Sequence, residues 1–185
     1  MSSNLQQYSQ ILEAQSYFHI LQLQHWYQFE LFTRQWWYLL AVLIISWLIW
    51  WKLVDKKSVF NILCYGFVIM FIVIAMDAIG IVKQRWIYPI KLIPVAPHTE
   101  AIDWGLLPVV DMLIYQYFPK WKNFIIAEVF LGAALAFLGE PFAQWLGVYT
   151  IINWKHIWSF PIYILKSILA KFIIETIAHK SQTSS

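Results

Sequence analysis

The chain has 185 residues, of which 61% are hydrophobic and only 12% carry a charged side chain. Soluble domains contain about 45–50% apolar and about 25% charged residues. The composition therefore excludes a soluble globular enzyme, a disordered chain and a disulfide-rich secreted domain, the last also because Cys64 is the only cysteine. It predicts a helical membrane protein that crosses the bilayer several times.

The charges and motifs exclude several kinds of partner. Thirteen Lys and Arg residues against ten Asp and Glu residues give a formal net charge of +3. No basic stripe lies outside the apolar segments, so we expect no nucleic-acid partner. The sequence has no His and Cys cluster with metal-ligand spacing, no Gly-rich phosphate loop and no Gly-x-Ser-x-Gly motif. It therefore assigns no metal, no cofactor and no catalytic residue.

Residues 1–35 differ from the rest of the chain because they are rich in Gln and Ser and contain no long apolar run. Their apolar residues recur at roughly helical spacing. This pattern predicts one amphipathic helix, or two, on the membrane surface or against the bundle. The alternative is a partly disordered tail.

Five apolar segments follow within residues 36–178. A helix needs about 20 residues to cross the hydrocarbon core, with a range of about 17–25. The segments are Trp36–Val54, Val59–Val82, Ile102–Phe118, Phe124–Leu146 and Ile157–Ala178. The tail, residues 179–185, is polar. The predicted fold is all-α: a five-helix transmembrane bundle with an amphipathic, interfacial N-terminal helix.

The orientation of the bundle follows from its loops. Five crossings place residues 1–35, the segment 83–101 and the loop 147–156 on one face of the membrane, the N-side. The opposite face is the C-side, and its loops carry a slight excess of Lys and Arg. Because basic loops favour the cytoplasm, we expect a cytoplasmic C-terminus.

Ionisable and aromatic residues from distant parts of the sequence fall at one depth near the N-side. Because intramembrane carboxylates usually face the bundle interior, we predict that these residues form a polar binding site. Alternatively, each faces head groups or water separately, and the aromatic residues are interfacial anchors. The predicted site residues are Asp77, Arg85, Trp86, Tyr88, Lys91, Asp103, Glu140 and His156.

A second pairing follows from the same estimate of depth. Asp111 and Lys166 lie equally far into their segments, roughly 13 Å below the N-side boundary at ~1.5 Å per residue. We predict that they form an ion pair across the bundle near mid-membrane. Alternatively, the helices face apart and the aspartic acid is neutral. Glu128, Lys171 and Glu175 fall in a C-side layer, where Lys171 and Glu175 can pair along their own helix.

A series of short motifs fills the stretch from residue 85 to residue 163. They are Arg85-Trp86-Ile87-Tyr88-Pro89, Lys91-Leu92-Ile93-Pro94, Leu106-Leu107-Pro108-Val109 after Asp103, Tyr115-Gln116-Tyr117, Trp121-Lys122, Glu140-Pro141 after Phe137, Trp154-Lys155 and Ser159-Phe160-Pro161-Ile162-Tyr163. The series resembles an uncharacterised family of small multi-pass membrane proteins from spore-forming Firmicutes. The resemblance does not extend to residues 1–35. It implies a protein of the bacterial cytoplasmic membrane with a link to sporulation, and it implies no activity.

A second resemblance is more distant. Asp77 together with Trp86, and an acidic residue before the next segment, resemble features of the membrane-embedded lycopene cyclases. This resemblance implies an enzyme that modifies isoprenoids, with Asp77, Asp103 or Glu140 as the proton donor. The paired glutamates of those cyclases are missing, because Pro97-His98-Thr99-Glu100 stands in their place.

Three functions remain open from the sequence. The one we favour is a non-enzymatic membrane component that binds membrane lipid, an isoprenoid or a membrane-protein partner at the N-side layer. The second is a small transporter or channel for protons or cations, which requires a homo-oligomer because five spans are few for one alternating-access unit. The third is the isoprenoid-modifying enzyme.

Overall fold

The structure is a computed structural model that describes residues 3–94 and 99–183. Pro97 and His98, which stand where the cyclase glutamates would be, lie outside the described residues. Within the described ranges the fold is all-helical apart from one short pair of strands.

The helices and strands follow one another in a simple order. The helices are α1 Ser3–His25, α2 Arg34–Leu53, α3 Val59–Val82, α4 Leu107–Tyr117, α5 Trp121–Ala134, α6 Glu140–Leu146 and α7 His156–Thr183. π-helical turns at Trp26–Glu30, Ile102–Leu106 and Leu135–Gly139 follow α1, lead into α4 and join α5 to α6. The strands β1 Trp86–Ile87 and β2 Thr150–Ile151 pair antiparallel, with Trp86 opposite Ile151.

Four helices of the described chain are long and apolar enough to cross a membrane. They are α2, α3, the continuous helix Trp121–Leu146 formed by α5, its π turn and α6, and α7 as far as Lys180. Large apolar side chains such as Phe71, Phe130 and Leu138 are exposed on these helices. The lengths and compositions indicate a membrane protein. The segment expected as a further span, Ile102–Phe118, is not among the four, because α4 has only 11 residues.

Local hydrogen bonds explain where the long helices begin and end. The Thr33 hydroxyl oxygen accepts from the backbone N–H of Trp36 at 3.2 Å and caps α2. Between α2 and α3, the Asp55 carboxylate accepts from the Lys57 backbone N–H and the Ser58 hydroxyl, and these bonds lower the pKa of Asp55. α6 stops at Gly147, whose φ of 77° is the left-handed conformation that favours glycine.

The core of the bundle lies around α4, which contacts α2, α3 and α5, while α7 packs against α3 and α5. Its buried side chains include Ile69, Met112 and Phe124. The buried ring of Tyr65 stacks on Tyr115 at 4.3 Å. The shortest of these helices is thus enclosed by the longer ones, which explains how it can carry a fully buried carboxylate.

The N-terminal region forms one helix, α1, whose side chains are mostly exposed. The π turn after α1 is attached to the rest of the molecule. Trp26 Nε1 donates to the backbone oxygen of Lys91 at 3.0 Å. Trp26 therefore connects the N-terminal region to the N-side segment 83–101 through a hydrogen bond.

Candidate functional site

A cavity of about 150 Å³ lies near the N-side end of the bundle. Parts of α2, α3, α6 and α7 form its wall, together with the two π turns that precede α4 and α6. Its ionisable lining residues are Asp77, Asp103, Glu140 and Lys166. Its large aromatic residues are Trp86, Tyr88, Tyr149, Trp154 and Tyr163. The cavity thus combines carboxyl groups with aromatic faces.

Asp77, near the end of α3, is held by two aromatic donors. Trp86 Nε1 donates to Oδ1 at 3.1 Å, and the Tyr88 hydroxyl donates to Oδ2 at 2.8 Å. Gly80 makes room for this arrangement, since a Cβ there would lie 2.1 Å from the Trp86 ring. Burial and the nearby carboxyl groups raise the pKa of Tyr88. The phenol therefore remains a neutral donor at physiological pH.

Asp103 faces Asp77 from the π turn before α4. Its side chain is only 1% exposed, and within the described ranges its Oδ2 makes no hydrogen bond. Two apposed carboxyl groups repel each other when both are ionised. This pair therefore favours a proton or another cation between or beside the two side chains.

Glu140 is the third carboxyl group of the cavity and follows directly after the π turn Leu135–Gly139. His156 Nδ1 lies 2.6 Å from its Oε2, and the Tyr163 hydroxyl donates to its Oε1 at 3.0 Å. The structure thus brings Asp77, Asp103 and Glu140 to one cavity and places His156 beside it.

Two of the predicted site residues lie elsewhere. Arg85 is exposed, and its Nη1 donates to the backbone oxygen of Asn153 at 3.3 Å. Lys91 is buried, but the carboxylates that interact electrostatically with it are Glu30 and Glu100, not the carboxyl groups of the cavity. The structure does not bring these two cations into the cavity, although Trp86 and Tyr88, which lie between them in the sequence, line its wall.

A second polar cluster surrounds Lys91. Its backbone N–H donates to Glu30 Oε2 at 2.8 Å, and the Leu92 N–H donates to Glu100 Oε2 at 3.2 Å. His25 Nδ1 lies 2.9 Å from the other oxygen of Glu30. Burial lowers the pKa of Lys91 and raises the pKa of Glu100. Sequence reasoning missed both glutamates, because neither lies in one of the five apolar segments from which depth was estimated.

The structure brings Asp111 and Lys166 into direct contact. Lys166 Nζ lies 2.7 Å from Oδ1 and 2.5 Å from Oδ2 of Asp111, and both side chains are almost fully buried. The Ser167 hydroxyl donates to Oδ1 at 2.5 Å. Lys166 also borders the cavity. The ion pair therefore forms the innermost boundary of the N-side site.

The sequence analysis also missed polar lining residues on α7. Ser159 and Tyr163 line the cavity, and together with Lys166 they recur at intervals of four and three residues, which places them on one helical face. Ser159 accepts from Trp154 Nε1 at 2.9 Å. This polar stripe in an apolar helix is the signal that could have found them.

Comparison with known proteins adds no relative. No family model matches the chain, and neither a curated protein nor a solved structure matches it. In residues 3–94 and 99–183, no group of three or more His, Cys, Asp or Glu side chains is placed to hold a metal ion. Function is therefore argued from the site itself.

Proposed function

We propose that the protein is a non-enzymatic membrane component that binds the head group of an amine-bearing lipid in the N-side cavity. Asp103 Oδ2 carries the proposal, because it is buried without a partner in the described part of the chain. Ammonium groups bind favourably to carboxylates and to the faces of Trp and Tyr rings. Both kinds of group line this cavity.

The size and charge of the cavity support a head group. A cavity of 150 Å³ accommodates a group about the size of benzene. An isoprenoid chain is larger, so the site favours binding over isoprenoid chemistry. Lys166 is paired with Asp111, which leaves the other carboxyl groups to attract a cation. The exposed Arg85 donates to the backbone oxygen of Asn153, and the exposed Lys155 lies over the Trp158 ring, so both can attract a lipid phosphate outside the cavity.

Native mass spectrometry of the detergent-purified protein, with lipid identification, tests this proposal. We expect wild type to retain phosphatidylethanolamine, and Asp103→Asn to lose it while unfolding at a similar temperature. Asp55→Asn, an exposed C-side change, is the matched control and should retain the lipid. Equal retention of phosphatidylglycerol, or full retention by Asp103→Asn, would contradict the proposal. Stabilisation by free ethanolamine alone would identify a soluble amine as the ligand.

We further propose that Ile102–Phe118 crosses the bundle as a fifth, enclosed span. Support comes from its two ends. Asp103 faces Asp77 toward the N-side, whereas Gln116 Nε2 donates to the backbone oxygen of Leu53 at 3.0 Å, at the C-side end of α2. Five spans put the two ends of the bundle on opposite faces of the membrane.

The location of the protein is proposed on the same basis. The resemblance to the spore-former family supports a bacterial cytoplasmic membrane and a link to sporulation, and the basic C-side loops favour a cytoplasmic C-terminus. Single cysteines at Lys57 and Asn153, in a Cys64→Ala background, test the topology with a membrane-impermeant maleimide. Labelling of intact spheroplasts only at position 153 is expected, and labelling at both positions would contradict five spans.

A further inference from the structure

The polar groups do not end at the cavity. On its inner side Lys166 binds Asp111, and Ser167 donates to the same carboxylate. Glu128 on α5 lies beside them and interacts with Asp111, Lys166 and Ser167. Four helices, α3 to α5 and α7, enclose this cluster, and Tyr65 is the titratable residue that α3 contributes.

Two atoms of this cluster are buried without a hydrogen bond. Within the described chain, Glu128 Oε1 and the Tyr65 hydroxyl oxygen have no partner, although Glu128 is 1% exposed and Tyr65 is 0% exposed. Buried polar atoms in native proteins are nearly always paired with protein or water, and exceptions accompany ordered water or a functional role. The cluster therefore has hydrogen-bonding capacity that packing alone does not use.

Beyond Glu128, the polar groups reach the C-side surface. Lys171 interacts electrostatically with Glu128, and its Nζ donates to the backbone oxygen of Pro119 at 2.7 Å. The same Nζ lies 3.6 Å from Glu175, whose side chain is 41% exposed. The rings of Phe124 and Trp121 surround the ammonium group. The series thus runs from the N-side cavity to the opposite surface.

We propose that the bundle conducts protons along this series: Glu140, Lys166, Asp111, Glu128, Lys171 and Glu175. Intramembrane ionisable residues are costly and mark ion or proton pathways. The cavity has room for several waters, which can link Glu140 to Lys166. Each step moves a proton between a carboxylate or amine and its neighbour, directly or through water, so only O–H and N–H bonds form and break. The pathway does not depend on lipid binding.

Proton flux into liposomes that contain a pH-sensitive dye tests this proposal. A potassium gradient with valinomycin supplies the driving force. We expect wild-type liposomes to acidify faster than empty liposomes, and Glu128→Gln to fall to the rate of empty liposomes. Glu128→Asp, which retains a carboxyl group, should restore flux. Glu30→Gln, a buried carboxyl change outside the series, is the matched control and should keep the wild-type rate.

Two results would overturn the proposal: a wild-type rate equal to that of empty liposomes, or a wild-type rate in Glu128→Gln. If Glu128→Gln does not fold, a hydrophobic carbodiimide applied to wild type decides the question. Modification of Glu128, located by peptide mass spectrometry, together with loss of flux supports the pathway. Unmodified Glu128, or modified Glu128 with unchanged flux, refutes it.

Discussion

Lys166 on α7 and Asp111 on α4 form a two-point contact in which Nζ lies 2.7 Å and 2.5 Å from the two carboxylate oxygens. Their side chains are 2% and 0% exposed. The pair is therefore shielded from bulk water, and it attaches the short, enclosed helix α4 to the long helix α7.

The ion pair predicts a non-additive double-mutant cycle. Asp111→Asn and Lys166→Met should each lower the free energy of unfolding by about 3–5 kcal/mol, because each leaves a buried group without its partner. The double variant should lose clearly less than the sum. Unfolding in mixed detergent micelles measures the three values. Lys57→Met, at an exposed site, should change stability by less than about 0.5 kcal/mol, and additive losses would show that the pair does not interact.

A side chain at Gly80 should disturb the cavity wall sterically. Alanine at this position would place a Cβ 2.1 Å from the Trp86 ring, so the ring must move and release Asp77. We expect Gly80→Ala to cost about 1–3 kcal/mol of stability, and to weaken lipid retention. The matched control is Gly139→Ala, where the nearest atom is 3.7 Å away. Thermal unfolding compares the two variants, and equal midpoints would contradict the packing described for Trp86.

The buried side chain of Glu100 should make the stability of the protein depend on pH, with a stabilising contribution at low pH. Burial raises its pKa, so the folded state binds this proton more tightly than the unfolded state. The stabilising contribution is complete below the ordinary glutamate pKa of about 4.3 and is lost as the pH rises through the folded-state pKa. The glutamine side chain of Glu100→Gln is neutral at every pH, so this variant has no such contribution to lose as the pH rises.

The unfolding temperature of Glu100→Gln relative to wild type should therefore increase from about pH 4 to about pH 8. Thermal unfolding at both pH values measures the difference. Exposed Glu13→Gln should show no such trend. A constant difference for Glu100→Gln would mean that the carboxyl group is as well solvated in the folded state as in the unfolded state.

Depth along a helix is the part of the site that the sequence could predict. The rise per residue placed Asp77, Asp103 and Glu140 at one level, and the structure brings these three residues to one cavity. The same estimate set Asp111 level with Lys166. The depth of a residue can be predicted because the rise per residue of a continuous helix determines it, whichever helices pack alongside.

Other features could not be read in this way. Lys91 lies in an irregular segment without periodicity, so no rule located it beside Glu30 and Glu100. Glu128 was expected in a C-side layer with Lys171, and it interacts with Lys171, but it also interacts with Asp111, which was expected near mid-membrane. The relative height and rotation of α4 and α5 depend on packing, and single-sequence spacing does not determine them.

The π turns had no visible signal in the sequence, yet each accompanies a buried acid. Glu30 ends the first turn, Asp103 lies in the second and Glu140 follows the third. A π turn holds one more residue than an α turn, so deleting one residue from Ile102–Leu106 or Leu135–Gly139 would close the wide turn into a regular α-helix and shift the backbone at the acid. Hydropathy and length would hardly change, and membrane insertion would proceed as before. The position of the acid, however, would change, so the loss of a single codon at these places would disturb the acidic site more than the membrane helix that carries it.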